Sequence, residues 1–420
     1  MRKELFKRII KENSEFLISI KKHLIKREVV IPETIRKVVV LYGVRRSGKT
    51  FFLFSQFLKN PSLGLYIDFE DERLIGFSLS DFELLKEAFF ELNPHLIGKR
   101  VKFFLDEVQN IEGWEKFARR MIEKENIDVF VAGSSSKLIP KQIHTALRGR
   151  EWATEILPFS FREFLRAKGV KDLSVYGRQR ARIISLFEEY LKWGGFPEVV
   201  LAKRDFEKKQ ILKDYLDAMF FKDIVEKFNF TNLTLLESLK ERLFSSFATK
   251  FSLSSFYKKT KGLFPFSKTS LYACYEAFLQ SLLVYEVRKF SDSIYVKMRN
   301  PPKIYLADIG LAKRVTSEDK GRLLENLVFL ELKRRGYTLH YFSNKKECDF
   351  VAQRDGKIEV FQVTLTLGEQ NFSREIEGVV SVAKFLGLKE GVVLTLEEEK
   401  EFKQDGIEIR IMPVWRWLIE

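Results

Sequence analysis

The chain has 420 residues, a formal net charge of +15, 45% hydrophobic residues and 14% aromatic residues. This length is enough for two or three domains, and the apolar content excludes a disordered chain. The sequence has no apolar run of roughly 18 residues, and its charged N-terminus lacks the apolar core of a secretory signal, so we predict no membrane association. The two cysteines lie far apart in no metal-ligand pattern, and we therefore expect a cytoplasmic protein.

Positive charge is concentrated in two segments. Residues 242–300 contain ten Lys and Arg against three acidic residues, and residues 1–37 contain eleven against five. Such an excess of positive charge favours an anionic partner, and nucleic acid is the first candidate. The alternative is a solvated surface rich in ion pairs, as thermophilic proteins have.

The N-terminal part of the chain has the pattern of an α/β domain. Residues 1–28 have apolar positions at helical spacing and predict a helix. Between residue 38 and about residue 160, apolar runs alternate with amphipathic segments, which is typical of βαβ units with a parallel sheet. The predicted strands are Val38–Tyr42, Leu63–Asp68, Val101–Leu105, Ile127–Ala132 and Thr154–Leu157.

The first of these strands leads into residues 43–50, which read GVRRSGKT, and a helix-like segment follows. This spacing between a strand and a helix is typical of a phosphate-binding loop, in which glycines let backbone N–H groups face the phosphates. Lys49 is expected to reach the β- and γ-phosphates and to act in catalysis, and the Thr50 hydroxyl is expected to bind Mg²⁺. The predicted nucleotide-binding residues are Gly43, Arg46, Ser47, Gly48, Lys49, Thr50 and Phe51. The motif predicts ATP binding.

Two carboxylates follow the strand predicted at Val101–Leu105. In a parallel sheet the carboxyl ends of the strands carry the ligand site, so Asp106 and Glu107 are expected beside the phosphate-binding loop. We expect Asp106 to hold Mg²⁺ through water and Glu107 to polarise the attacking water. The alternative is a strand that ends in two solvated acids, and the upstream Lys49 favours the catalytic interpretation.

Three further residues are candidates for the same site. The strand Ile127–Ala132 runs into Gly133 and Ser134, and the Ser134 hydroxyl could contact the γ-phosphate or the attacking water. Arg148 and Arg150 could neutralise the charge of the transition state, in the same chain or on a neighbouring subunit. A plain turn at Ser134 is the alternative.

The predicted secondary structure changes twice beyond residue 160. Residues 160–240 are predicted to be mostly helical, and residues 241–300 to form short helices followed by two strand-like runs, Leu282–Phe290 and Ser293–Met298. Beyond Pro301-Pro302 an α/β pattern returns. The elements predicted there are a strand at Lys303–Ala307, a helix at Gly321–Arg335 and strands near Thr338–Phe342, Cys348–Gln353, Lys357–Leu365 and Gly391–Thr395.

Six stretches of the sequence together resemble a family. They read GVRRSGKT, FFLDEVQ, VAGSSSKL, LRGR followed by LPFSFREFL, and YLKWGGFPEVV. This set resembles a group of prokaryotic AAA-type ATPases whose C-terminal half is catalogued only as a domain of unknown function, and the similarity runs from about Arg36 to Glu420. The resemblance implies an AAA-like ATPase core, a winged helix and a C-terminal region similar to restriction-endonuclease-like folds. Carried over by position, it gives the nucleotide roles above to Lys49, Thr50, Asp106, Glu107 and Ser134.

The implied winged helix falls at residues 241–300. Two short helices that begin with Ser or Thr suit helix-turn-helix geometry, and Thr269–Leu279 is the expected recognition helix. The lysines expected to contact DNA phosphates are Lys258, Lys259, Lys261 and Lys268. The alternative is a small domain that only packs between its neighbours.

The C-terminal region carries Glu325, Asp349 and Gln362 in an order that resembles a nuclease core. Such a core needs an Asp, then Glu or Gln, one residue, and a Lys that steadies the attacking water or the developing charge. Residues 362–364 read QVT, so this lysine is absent. The lysines that could compensate are Lys345, Lys346 and Lys357. We expect a binding or structural relic of the fold rather than an active nuclease.

These observations predict an α/β protein with four parts: an AAA-type P-loop ATPase domain with a parallel sheet and an N-terminal helical lead-in at 1–160, a helical segment at 161–240, a winged helix at 241–300, and a degenerate α/β restriction-endonuclease-like domain at 301–420. The predicted activity is hydrolysis of ATP with Mg²⁺, acting on DNA. A nucleotide-operated switch that controls a protein partner, or an ATP-regulated endonuclease using Glu325, Asp349 and Gln362, are the alternatives. A homo-oligomer is a further possibility that the sequence does not decide.

Overall fold

The computed structural model describes residues 2–32, 36–133, 140–312, 319–344 and 346–420. The chain divides into two compact units, Met1–Leu157 and Pro158–Glu420. Both combine helices with a sheet, and the predicted α/β class is confirmed.

The first unit contains a five-stranded parallel sheet with the order β2-β3-β4-β1-β5. Its strands are β1 (Val38–Tyr42), β2 (Gly64–Asp68), β3 (Val101–Asp106), β4 (Ile127–Ala132) and β5 (Glu151–Glu155). Its helices are α1 (Arg2–Ile20), α2 (Lys49–Phe57), α3 (Asp81–Leu92), α4 (Trp114–Lys124) and α5 (Pro140–Leu147). The predicted strands and their parallel arrangement are confirmed, although β5 begins earlier than expected.

Both faces of this sheet are buried, which explains why its strands read as continuous apolar runs. On one face, side chains of α1, α3 and α4 such as Phe6, Phe89 and Phe117 form one core with alternate residues of the strands. On the other face, Phe52 and Phe57 of α2 form a second core. The sheet thereby holds the end of β1 and the start of α2 in a fixed relation, which positions the loop between them.

The second unit contains a nine-stranded mixed sheet with the order β13-β14-β12-β11-β10-β9-β7-β8-β6. Its strands are β6 (Thr249–Lys250), β7 (Val284–Lys289), β8 (Lys303–Leu306), β9 (Thr338–Ser343), β10 (Glu347–Arg354), β11 (Lys357–Val363), β12 (Glu390–Thr395), β13 (Lys400–Gln404) and β14 (Ile407–Pro413). Its helices are α6 (Phe161–Ala167), α7 (Gly177–Trp193), α8 (Pro197–Leu201), α9 (Asp205–Phe220), α10 (Leu233–Ser245), α11 (Leu253–Thr260), α12 (Lys268–Gln280), α13 (Ile294–Arg299), α14 (Ile309–Ala312), α15 (Lys320–Arg334), α16 (Phe372–Phe385) and α17 (Val414–Trp417).

One end of this sheet is built by β6, β8 and β7, where β8 pairs antiparallel with both neighbours. The helices α11 and α12 lie between β6 and β7 in sequence, and each begins after a serine whose Oγ accepts an N–H of the first turn.

The domain boundary predicted after residue 300 falls between β7 and β8, which are neighbouring strands of this one sheet. The strand predicted at Ser293–Met298 is wrong. This segment is helix α13, because the Ser293 side chain accepts the Val296 N–H and starts a helical turn.

The strands at the other end of the sheet come after α15 in the chain. The strands β9, β10 and β11 pair antiparallel, helix α16 follows, and β12 returns parallel to β11. Apolar residues of α16, including Ile376 and Val379, pack on this part of the sheet. The predicted helix and the four predicted strands of this region are confirmed within a few residues.

The glycines of the WGGFP stretch make close backbone contacts. The Gly195 N–H donates to Oδ2 of Asp308 over 2.7 Å, and the Gly310 N–H donates to Oδ1 of the same side chain over 2.8 Å. A Cβ atom on Gly195 would lie 2.3 Å from the carbonyl oxygen of Phe159. Burial raises the pKa of the Asp308 carboxyl to about 7, while the two N–H donors lower it. Only glycine fits at this junction.

We therefore expect Gly195→Ala to lower the free energy of unfolding of the second unit by about 1–3 kcal/mol, because a backbone oxygen cannot move away as a side chain would. Urea unfolding followed by circular dichroism measures the change. Gly262→Ala is the matched control, since its added Cβ meets nothing within 4 Å. Equal stabilities of the two variants would contradict the prediction.

Among the described residues, no helix is both long enough and apolar enough to cross a membrane.

Candidate functional site

The phosphate-binding loop depends on backbone conformations that few residues adopt. Gly43 has a φ of 148° and Gly48, immediately before α2, a φ of 95°. A Cβ atom on Gly43 would lie 2.4 Å from the carbonyl oxygen of Ile156, so glycine is also required by space. Arg46 is exposed and takes a φ of 66°. The loop thus turns sharply between β1 and α2, as residues 43–50 predict.

Two polar side chains of the loop, Lys49 and Ser47, are buried. Nζ of Lys49 donates to the carbonyl oxygens of Gly43 and Val44 over 3.0 Å each, and the residue is 7% exposed. Oγ of Ser47 is buried and has no hydrogen-bond partner among the described residues. Phe51, on the first turn of α2, is exposed.

Arg27, which we did not predict, contacts the backbone of the phosphate-binding loop. Arg27 lies between α1 and β1, and its guanidinium donates to the carbonyl oxygens of Ser47 over 3.0 Å and of Leu157 over 2.6 Å. Because these partners are 20 and 130 residues away, no local motif indicated the contact.

The end of β3 lies beside the loop. Asp106 is 2% exposed, and its carboxylate accepts hydrogen bonds from the Thr50 hydroxyl and, over 3.3 Å, from the Tyr66 hydroxyl. Burial raises the pKa of the Asp106 carboxyl to about 7, with a lowering contribution from Thr50 and a further raising one from Glu107. The structure thus brings Thr50 and Asp106 together, as predicted.

Glu107 follows Asp106 in a left-handed conformation, with a φ of 47°. Its N–H donates to Oδ1 of Asp106 over 3.1 Å, and its carboxylate accepts from Nε2 of Gln109. On the neighbouring strand, Asp68 is the register partner of Asp106. Burial and the charge of Glu107 raise the pKa of Asp68. Neither Asp68 nor Gln109 was predicted, although Asp68 ends a predicted parallel strand, which was a usable signal.

The two arginines lie at the opposite edge of the sheet. The carbonyl oxygen of Arg150 accepts the N–H of Val38, the first residue of β1, whereas the loop begins after its last residue, roughly 13 Å away along the strand. Arg148 and Arg150 are exposed, and Arg150 pairs with Glu123. The structure does not bring them to the loop of their own chain, so a role on a neighbouring subunit stays a prediction. Ser134 lies outside the described residues.

The residues fit Mg²⁺ held jointly with a nucleotide. No group of three or more His, Cys, Asp and Glu within the described ranges is arranged to hold a metal by itself. Mg²⁺ usually keeps several waters and takes one or two protein ligands beside the phosphates. A hydroxyl and a carboxylate in contact, Thr50 and Asp106, supply that number of oxygen ligands.

A second polar cluster lies in the second unit. Lys303 on β8 places Nζ 2.8 Å from Oε1 of Glu325 on α15 and 2.7 Å from Oδ1 of Asp349 on β10, and all three side chains are at most 13% exposed. The Tyr305 hydroxyl donates to Glu325 over 2.6 Å. Burial lowers the pKa of Lys303, but the charges of Asp349 and Glu325 outweigh burial and raise it. Lys303 is not among the lysines expected to compensate for the one that residues 362–364 lack, and we did not predict its contacts.

Gln362 joins this cluster as predicted. Its Oε1 accepts the Asp349 N–H over 3.0 Å, and its Nε2 donates to Glu375 of α16 over 2.6 Å. Oδ2 of Asp349 accepts the Val363 N–H over 3.0 Å. The residues that the nuclease resemblance singled out thus belong to one network, in which Lys303 pairs with Glu325 and Asp349 and Gln362 accepts the Asp349 N–H. Lys346 instead pairs with Glu377.

Family models divide the chain into three parts. An AAA domain matches residues 35–165. Two domains of unknown function, DUF8612 and DUF4143, match residues 184–321 and 320–417.

Solved structures show a weak likeness to the chain. The Aeropyrum pernix Orc1 protein in complex with DNA is 12% identical with a TM-score of 0.30, covering 78% of this chain and 93% of that one. The RuvB Holliday junction branch migration motor of Thermotoga maritima is 15% identical with a TM-score of 0.26, covering 69% and 94%. Such TM-scores do not establish a common fold.

Two full-length relatives match nearly the whole chain. An uncharacterized protein of Haemophilus influenzae is 27% identical over 395 residues, covering 91% of this chain and 94% of its own. The uncharacterized protein MJ1544 of Methanocaldococcus jannaschii is 37% identical over 432 residues, covering 99% and 95%. The chain therefore belongs to the same family as this Methanocaldococcus jannaschii protein, and its residues 35–165 match an AAA domain.

Proposed function

We propose that this protein is a Mg²⁺-dependent ATPase of the AAA type that acts on DNA. The observation that carries the ATPase part is the convergence of Lys49, Thr50, Asp106 and Glu107 at one edge of the parallel sheet. In this proposal, the loop N–H groups and Lys49 bind the phosphates, and Thr50 and Asp106 orient the nucleotide through Mg²⁺, which neutralises phosphate charge. Glu107 accepts a proton from the attacking water.

The DNA part of the proposal rests on the four lysines Lys258, Lys259, Lys261 and Lys268, which we call the basic surface. All four are exposed, and in the part of the chain that the structure describes none forms an ion pair. Elsewhere many surface cations are neutralised by acids, as in the pairs of Lys3, Lys7 and Lys384. Unneutralised charge beside α12 is what a phosphate backbone would attract.

The order of elements supports the winged-helix part of the proposal. The segment runs α10, β6, α11, α12, β7, β8, with β8 between β6 and β7 in the sheet. A helix after a short turn, backed by an antiparallel hairpin, can present α12 to a groove of DNA. Its N-terminal residues Thr269 and Ser270 are exposed.

For the C-terminal part we propose a structural or binding role in a nuclease-like fold that does not cleave. The order of the elements supports the nuclease-like fold: α15 is followed by three antiparallel strands, then by α16 and a parallel strand. The ion pairs of Lys303 support the absence of cleavage, because its ammonium group occupies a carboxylate oxygen of both Glu325 and Asp349 that a metal ion would need.

We expect duplex DNA to stimulate ATP turnover and to bind with a steep salt dependence. Replacing the four lysines of the basic surface with alanine should make the negative slope of log affinity against log salt concentration shallower by about 3–4, because each phosphate contact contributes about 0.9 to its magnitude. Four exposed lysines elsewhere, Lys99, Lys124, Lys203 and Lys389, form the matched control. Turnover that DNA does not change would instead favour a nucleotide-operated switch for a protein partner.

A further inference from the structure

A tyrosine on the neighbouring strand contacts the carboxylate of Asp106. Tyr66 on β2 is the register partner of Phe104 on β3, so its side chain lies on the same face of the sheet as those of Phe104 and Asp106. Its ring extends diagonally along that face, and its hydroxyl donates to Oδ2 of Asp106 over 3.3 Å. Tyr66 is 6% exposed, so the contact is shielded from solvent.

The position of the Tyr66 ring is fixed by its surroundings. The ring of Phe54 on α2 meets it at 78° with the centroids 5.1 Å apart, which is the edge-to-face arrangement that aromatic pairs prefer. Nδ2 of Asn13 on α1 donates to the Tyr66 carbonyl oxygen over 3.2 Å. Because an ionised carboxylate only accepts hydrogen bonds, Tyr66 is the donor to Asp106.

The Asp106 carboxylate has a limited number of acceptor positions. Its two oxygens offer about four. Three hydrogen bonds reach them, from the Thr50 hydroxyl, the Glu107 N–H and the Tyr66 hydroxyl. Since these donors come from α2, from the residue after β3 and from β2, they hold the plane of the carboxylate from three sides. One acceptor position remains for Mg²⁺, and the three donors determine its direction.

Resting on the proposed function, we propose that Tyr66 is a positioning residue that holds the Asp106 carboxylate in the orientation that Mg²⁺ and ATP together require. Without the Tyr66 hydroxyl the carboxylate can rotate, because the torsion that turns an Asp carboxylate has no narrow minimum. Groups that hydrogen-bond a metal-binding side chain from behind orient it, and their loss typically lowers metal affinity or activity by about 10–100-fold.

The affinity for a non-hydrolysable ATP analogue, measured by calorimetry with Mg²⁺ and with EDTA, tests this role. Tyr66→Phe keeps the ring and removes only the hydroxyl. We expect this variant to bind the analogue about 10-fold more weakly with Mg²⁺, at the lower end of the range for such partners. In EDTA its affinity should equal that of the wild type, because the loop N–H groups and Lys49 still bind the phosphates.

Two further variants accompany the measurement. Tyr341→Phe is the matched control, since Tyr341 is a buried tyrosine of the second unit whose hydroxyl donates to the Pro301 carbonyl oxygen over 2.8 Å. It should leave both affinities unchanged. In an Asp106→Ala background, Tyr66→Phe should cause no further loss of affinity, because the hydroxyl then lacks the group through which it acts.

Three outcomes overturn the proposed role of Tyr66. Unchanged affinity of Tyr66→Phe with Mg²⁺, in a protein whose wild type binds more tightly with Mg²⁺, would show that the contact is idle. An equal loss with Mg²⁺ and in EDTA would indicate a purely structural role. A further loss in the Asp106→Ala background would show that Tyr66 acts elsewhere. A wild type that binds equally with Mg²⁺ and in EDTA would overturn the proposed Mg²⁺ dependence itself, which separates the two failures.

Discussion

Replacing Lys49 with alanine is expected to remove ATP turnover and ATP-dependent stabilisation together. The Lys49 ammonium is buried in the loop, within 3.0 Å of the carbonyl oxygens of Gly43 and Val44, and it is the cation expected to meet the β- and γ-phosphates. Loss of one preorganised donor to developing charge typically lowers kcat by about 10²–10³-fold. We therefore expect turnover of the variant near the detection limit.

A readout that does not depend on catalysis accompanies this prediction. ATP at about 100 times its Kd should stabilise the wild type by about 2.7 kcal/mol, which thermal unfolding detects as a raised Tm. Lys49→Ala should lose most of this shift. Lys59→Ala serves as the control, because Lys59 is exposed and follows the other end of α2. A full ATP-induced shift in Lys49→Ala would contradict the phosphate role of this lysine.

The largest stability effect is expected from Lys303→Met. Removing this ammonium leaves the carboxylates of Glu325 and Asp349 buried without their common counter-ion. Breaking a buried ion pair by removing one partner typically costs about 3–5 kcal/mol. Burial already raises the pKa of Glu325 to about 7. In the variant the Glu325 carboxyl should favour the protonated form in the folded state, so the loss of stability should shrink as the pH falls through its folded-state pKa.

Two further variants test whether the unpaired carboxylates cause the loss of stability in Lys303→Met. Lys250→Met changes the register partner of Lys303 on β6, whose side chain is 33% exposed and pairs with an exposed Glu347, and should cost at most about 1 kcal/mol. Adding Glu325→Gln and Asp349→Asn to Lys303→Met should recover part of the stability, since it removes the unpaired buried charges. Denaturant unfolding across pH provides the measurement. If Lys303→Met and Lys250→Met proved equally mild, Lys303 would not be the counter-ion of a buried cluster.

The phosphate-binding loop was predictable because its chemistry is local. A strand, a glycine-rich turn and a helix start are contiguous, so residues 43–50 predicted a turn between a strand and a helix, and the structure has it. Asp106 was predictable for a related reason, since apolar runs indicated a parallel sheet and ligands gather at one edge of such sheets. Periodicity failed at Ser293–Met298, where a serine cap selected a helix in a segment too short for its pattern to decide.

The sequence by itself determined the α/β class, the phosphate-binding loop and the residue types that meet it, because these depend on neighbours within a few positions. Only the tertiary structure decided which distant groups complete the sites. Arg27 supports a loop 20 residues away, and Lys303 reaches acids 22 and 46 residues away. It also placed Arg148 and Arg150 at the far edge of the sheet. The physical reason is that burial and strand order, rather than local spacing, determine which charged side chains must find one another when water is excluded.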